Sequence, residues 1–172
     1  MLSNSAIQLD TSQAESYAKF LQTAPEIARK EMKIGLTEAL LLLEREVKDG
    51  TPTGVGGGGG LRGSITHNLR GSTATNLRGK VFSPLAHAMP VEFGTKPHWA
   101  PIDPIQDWVE HKLGVSPDES RAVAFMVARK IARDGTEGAH MFENALSDNA
   151  QQIMAMLSGG IDRLFEQLGA GK

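Results

Sequence analysis

An α+β fold is predicted for this chain: a long N-terminal helix packed with a small antiparallel sheet and C-terminal helices. Three features carry that prediction. A helix-period apolar stripe runs from Ala28 to Val47, two short alternating segments follow a run of glycines, and punctuated helical patterns fill the C-terminal half.

The first helix is marked by Thr23, Ala24, Pro25 and Glu26, where Thr23 serves as cap, Pro25 suits a first turn and Glu26 completes a capping box. Ala28, Met32, Leu36, Leu40, Leu43 and Val47 follow at helical spacing. Carried to about Lys48, this helix spans roughly 37 Å, more than a small core needs. Residues 1–22 read as a flexible arm or a short helix. The segment 50–60, with five consecutive glycines from Gly56 to Gly60, ends the helix and reads as a mobile loop, because ordering it costs entropy and supplies no side chains. It lacks the GxxxxGK[ST] order of a phosphate loop.

Leu61, Ile65 and Leu69 alternate with polar residues, as do Thr73, Thr75, Leu77 and Val81, so a hairpin is predicted with its turn at Asn68–Ser72. Met89, Val91 and Phe93 suggest a third short strand closed by Gly94 and Thr95, with Val91 and Phe93 in the core and Glu92 on the opposite side. Beyond it, Asp103-Pro104 opens a helix stopped by Gly114, and Ser116-Pro117 opens another stopped by Gly135. A last helix covers Ala139 to Leu157, is interrupted at Gly159-Gly160 and resumes to the C-terminus. The implied organisation is a single domain over 23–157 and a helical extension over 158–172.

With 172 residues the chain is long enough to bury a core without metal or disulfide support, and having no cysteine it has no thiolate chemistry. The net charge of -2 argues against a generally basic nucleic-acid binder. Its distribution is uneven: -2 over residues 1–60, +4 over 61–98 and -4 over 99–172. Arg62, Arg70, Arg78, Lys80 and Lys96 make the basic middle, a candidate subunit interface or DNA-facing surface, although no aromatic residue interleaves with the first two strands to stack bases. The longest strongly apolar patch, Ala39–Leu43, is too short to span a bilayer, and the opening residues lack a signal-peptide pattern.

Chemistry is not signalled. The five histidines show neither HExxH nor a short paired spacing, so no metal site is expected, and the absence of a GxSxG elbow removes the usual hydrolase signature. No cofactor is expected. Glu92, the one acid between Asp49 and Asp103, reads as an ion-pair partner of Arg62, Arg78 or Lys96 and not as a catalytic acid. His67 reads as a half-buried packing residue.

LRGSI at 61–65, HAMPVEFGTKPH at 87–98, IQDWVEHKLG at 105–114 and VARKIARDGTEGAHMFENAL at 127–146 together resemble the neck or tail-completion proteins of long-tailed bacteriophages, also described as minor tail components. The motif residues are Val91, Glu92, Phe93, Gly94, Thr95 and Trp108; one departure is Ala139-His140-Met141-Phe142, where relatives often carry a basic residue and proline before the aromatic. The resemblance implies a non-enzymatic virion protein assembled in the host cytoplasm. It would form a homo-oligomeric, six-membered ring in the phage neck or upper tail, completing the tail and joining it to the head around the DNA passage. Its implied partners are neighbouring neck, tail-terminator or tail-tube proteins, with transient DNA contact in the channel. The rival classes are a nucleic-acid-binding accessory protein using the basic hairpin and a small enzyme with an unrecognised active site.

Overall fold

The structure, a computed structural model, describes residues 12–54 and 60–167, with side chains from residue 22 onward. The fold is α+β as expected. Its spine is α1 (Ser12–Gly50), on which a two-stranded antiparallel hairpin, β1 (Thr66–Arg70) and β2 (Arg78–Phe82), and the C-terminal helices α6 (Met141–Asp148) and α7 (Ala150–Gln167) pack. Between them lie α2 (Gly60–Ser64), α3 (Ala88–Phe93), α4 (Ile102–Leu113) and α5 (Pro117–Asp134).

α1 starts at Ser12, not at Thr23, and Pro25 lies inside it. Proline costs the helix a backbone hydrogen bond, but the residues before it, SQAESYAKFLQ, are mostly good helix formers, so the helix is continued on both sides. The expected stripe faces inward: Leu40 and Val47 are buried, while Ala28, Met32, Leu36 and Leu43 are half-buried. Val47, Leu61, Ile65, Ala88, Met141 and Ala145 form the core beneath the C-terminal half of α1.

Four local expectations are corrected. Leu61 to Ser64 is a helical turn, and the strand begins only at Thr66. Leu61 and Ile65, four residues apart, are both buried; that spacing serves one helical face as well as one strand face. The second strand starts at Arg78, because Ala74–Asn76 forms a 3-10 turn in which the Asn76 Oδ1 accepts from the backbone N–H groups of Ser72 and Thr73 at 2.9 and 2.8 Å. The connection therefore spans 71–77, not Asn68–Ser72. The third strand is absent: 88–93 is α3, with Ala88 and Glu92 buried one helical turn apart. Finally, the break among the last helices falls at Asn149, whose Nδ2 donates to the Ala145 carbonyl at 2.9 Å, and α7 runs unbroken through Gly159 and Gly160.

Those glycines have a packing role. α1 and α7 are antiparallel and so close that a Cβ on Gly35 would lie 2.6 Å from the Met156 carbonyl oxygen, and one on Gly160 would lie 2.9 Å from that of Glu31. Beside this crossing, buried Glu31 accepts from Arg163 Nε at 3.0 Å and from Gln167 Nε2 at 2.8 Å, tying the two helices in one register. The hairpin likewise lies directly on α1, since a Cβ on Gly79 would meet the Leu40 side chain at 2.6 Å. Val55 to Gly59, most of the glycine run, lie outside the described residues.

Candidate subunit interface

The segment VEFGT carries the chain out of α3 into an extended bridge, and its conformation is set by a second segment 41 residues away. Thr95 and Thr136 form an isolated antiparallel bridge, N–H to carbonyl in both directions at 3.0 and 3.1 Å, with their hydroxyls 3.0 Å apart. The Ala139 and His140 N–H groups donate to the carbonyls of Val91 and Glu92 at 2.7 and 3.1 Å. Two backbones in such contact leave no room for side chains: a Cβ on Gly94 would sit 2.1 Å from the Thr136 oxygen, one on Gly135 2.0 Å from the Thr95 oxygen, and one on Gly138 2.2 Å from the Glu92 oxygen. Gly94 and Gly135 also have positive φ, at 75° and 77°, which L side chains rarely adopt.

Glu92 completes this clasp. It is only 4% exposed, and its two carboxylate oxygens accept from the backbone N–H groups of Phe142 and Glu143 at 3.0 and 3.1 Å. It is thus the cap of α6, delivered from a distant segment, satisfying donors that the first turn leaves open and placing negative charge at the positive end of the helix dipole. The expected pairing of Glu92 with Arg62, Arg78 or Lys96 does not occur. Phe93 is 62% exposed, so the expectation that it fills the core is also corrected: in a helix, neighbours Val91 and Phe93 do not share a face.

From the clasp springs a helical hairpin, residues 96–135, with Thr95 and Thr136 as its stem. α4 and α5 pack chiefly on each other, through Val109 on one side and Ser120, Ala124 and Ala128 on the other, all fully buried. The small residues of α5 permit close approach, and a polar knot fixes the register: Glu110 Oε1 accepts from the Ser120 hydroxyl at 2.6 Å and from Gln106 Nε2 at 3.1 Å. These donors, Ser120 foremost, hold the Glu110 carboxyl below its ordinary range. Both helices end sharply where the sequence places glycine, α4 at Gly114 with φ 66° and α5 at Gly135. It touches the body again through Lys112 Nζ, which donates to the Thr53 hydroxyl at 3.1 Å.

The outer faces of this arm are apolar and charged together. On α4, Asp103, Asp107 and Trp108 are exposed, with Asp103 at the edge nearest α5, 3.8 Å from Arg121; on α5, Met126, Arg129, Lys130 and Arg133 occupy one outward face at helical spacing. Trp108 is 39% exposed and Met126 61%. Trp99 packs edge-on against Phe125 at 5.7 Å between ring centroids, yet both remain more than 45% exposed.

The basic residues proposed from the sequence do not form one cluster. Arg62 is committed to Asp49 at 2.5 Å. Lys80 lies over the Phe82 ring at 4.4 Å, and Lys96 is exposed beside the clasp. Arg70 and Arg78 are exposed and directly opposite each other in the strand register, a like-charge pair that costs stability. His67 is half-buried as expected, but its role is electrostatic as well as steric: its Nδ1 meets Glu44 Oε2 at 2.5 Å. Lys48 first and His67 second hold the Glu44 carboxyl below its ordinary value.

No group of three potential metal ligands occurs among the described residues. A cleft of about 320 Å3 between α1 and α6 is lined by Glu46, Asp49, Asn144, Asp148 and Asn149, with no serine, histidine or lysine in its wall. No described helix is long and apolar enough to cross a membrane.

The described architecture is a long helical spine carrying a clasped arm with exposed apolar side chains, and over part of its length the chain is similar to a family of phage tail components. Residues 15–94 match the HK97-gp10-like family, whose description reads "Bacteriophage HK97-gp10, putative tail-component". That match runs from α1 to Gly94, where the clasp begins, and agrees with the neck and tail-completion resemblance carried by the motifs. No curated protein and no solved structure matches the chain.

Proposed function

We propose that this chain is a ring-forming structural subunit of the phage neck or upper tail. Copies would surround the DNA passage, complete the tail and join it to the head. The observation that carries this reading is the family match over 15–94, joined to an arm that leaves Trp99, Trp108, Phe125 and Met126 exposed. Apolar area of that kind on one protrusion marks an interaction surface. A closed ring needs two different complementary patches on each copy, and six copies are expected. The work of such a subunit is positional, so the reading assigns it no catalysis and no cofactor; its partners are neighbouring neck or tail proteins.

The second proposal concerns the hairpin. Arg70 opposite Arg78 is unfavourable in isolation and becomes favourable against an anionic partner, so this edge would face either DNA in the channel or an acidic neighbouring ring. Light scattering of the purified chain, with and without a tail partner, tests the ring: a mass near six protomers is expected. A monomer in both conditions, together with absence of the chain from purified particles, would sink the proposal.

A further inference from the structure

The α4–α5 arm carries two unlike faces on a layer only two helices thick. One helix presents acids and an exposed aromatic, Asp107 next to Trp108 with Asp103 at the edge nearest α5; the other presents bases beside an exposed thioether, Arg129 and Lys130 following Met126. Because the helices are antiparallel, the N-terminal half of α4 and the C-terminal half of α5 both lie toward the stem, so the acids and bases belong to the same half of the arm. Toward the tip the charges are mixed: α5 carries Asp118 and Glu119 but also Arg121, and Lys112 of α4 is turned to the Thr53 hydroxyl of the body. The helix dipole favours acids at one helix end and bases at the other. It does not account for large apolar side chains left in water among those charges.

We infer that the occupant of each face is the arm of a second copy of this chain. The α4 face of one arm stacks head to tail on the α5 face of the next, stem beside stem, with Trp108 covered by the neighbour's Met126 side and the acids of α4 matched to the bases of α5 in the stem half. Charge complementarity selects this partner, since a copy translated across the arm brings the Asp103 and Asp107 side against Arg129, Lys130 and Arg133. Such a contact is heterologous, the kind that propagates and closes into a ring. The inference rests on the ring reading above and specifies where the subunits join.

Charge reversal tests it on the full-length chain. One variant combines Asp103→Lys with Asp107→Lys, the other Arg129→Glu with Lys130→Glu. Each alone puts like charges across every contact, so assembly is expected to weaken roughly a hundredfold, while the subunit still melts cooperatively with a midpoint lowered only slightly by charges that oppose the helix dipoles. Mixed in equal amounts, the two variants restore opposite charge at every contact if they alternate, and a ring of even number is expected to form again. The two tryptophans both lie on the arm or its base, so their emission should shift to the blue on assembly of the parent and the mixture, but not of either variant alone. If the parent is monomeric, the ring reading and this inference fall together. Should the parent assemble and each variant assemble equally well, the arm is not the joint and only this inference fails. Failure of the mixture, with both variants folded, overturns the head-to-tail pairing.

Discussion

Glu92 shows how much a single carboxylate does when it is delivered to a helix end. Both oxygens are bound to backbone N–H groups of α6 and the side chain is buried, so Glu92→Gln exchanges a charge-assisted acceptor pair for one acceptor and a misplaced amide. The expected loss is about 1–2 kcal/mol, read as a lowered midpoint of thermal melting. Its neighbour behaves oppositely: Phe93→Ala, at an exposed site, should alter stability by less than about 0.5 kcal/mol. Gly138→Ala would drive a Cβ to within 2.2 Å of the Glu92 carbonyl oxygen, and since the obstacle is backbone it has no rotamer to escape through. A loss of at least about 2 kcal/mol is expected in the same melting measurement.

Among the elements, the α1–α7 crossing separates helix propensity from packing. Within an exposed helix, glycine to alanine gains about 0.5–1 kcal/mol. Gly159→Ala should show that gain, because its Cβ would have nothing nearer than the end of the Arg163 side chain at 3.5 Å. Gly160→Ala and Gly35→Ala place the same methyl against the backbone of the partner helix and should each lose about 1–3 kcal/mol. Melting curves of the three variants decide it: a uniform gain would mean that the helices stand farther apart than described. Arg163 reinforces the crossing, since its Nε pairs with buried Glu31 while its Nη2, buried and without a hydrogen bond, lies 4.0 Å from Glu38.

For the molecule as a whole, the response to acid is shaped by carboxylates that their donors hold low, among them Glu31, Glu44, Glu110 and, beside Arg133, Asp134. Glu31 is held below its ordinary 4.5 by hydrogen bonds from Gln167 and Arg163, and Glu44 and Glu110 are lowered in the same direction by their own donors. Between the ordinary value and the depressed native one, the unfolded chain binds more protons than the folded one, so stability rises with pH in that window. Their contribution is complete above about 4.5 and is lost as pH falls through the native values. Denaturant midpoints measured from pH 7 downward should therefore fall below that point, and Glu31→Gln should make the acid limb shallower. An unchanged limb would show that the α1–α7 pairing does not draw on the ionised carboxylate.

The α+β class, the amphipathic spine and the stops at Gly114 and Gly135 were all legible in the sequence, because periodicity and turn chemistry are properties of neighbouring residues. The spacing of Leu61 and Ile65 fits a helix as well as a strand, so the pattern that places both in the core with Val47 and Met141 left the helical turn at 60–64 undecided. The same holds for 88–93, where Glu92 is buried because the open N–H groups of α6 meet it there, although an acid alone reads as a surface residue. Gly159 and Gly160 looked like a break until α1 was seen to occupy the space their missing side chains leave. Contacts between residues 41 to more than 100 apart, Thr95 with Thr136 and Glu31 with Arg163, leave no local pattern, so the clasp, the arm it holds and the charges the arm displays were decided by tertiary structure.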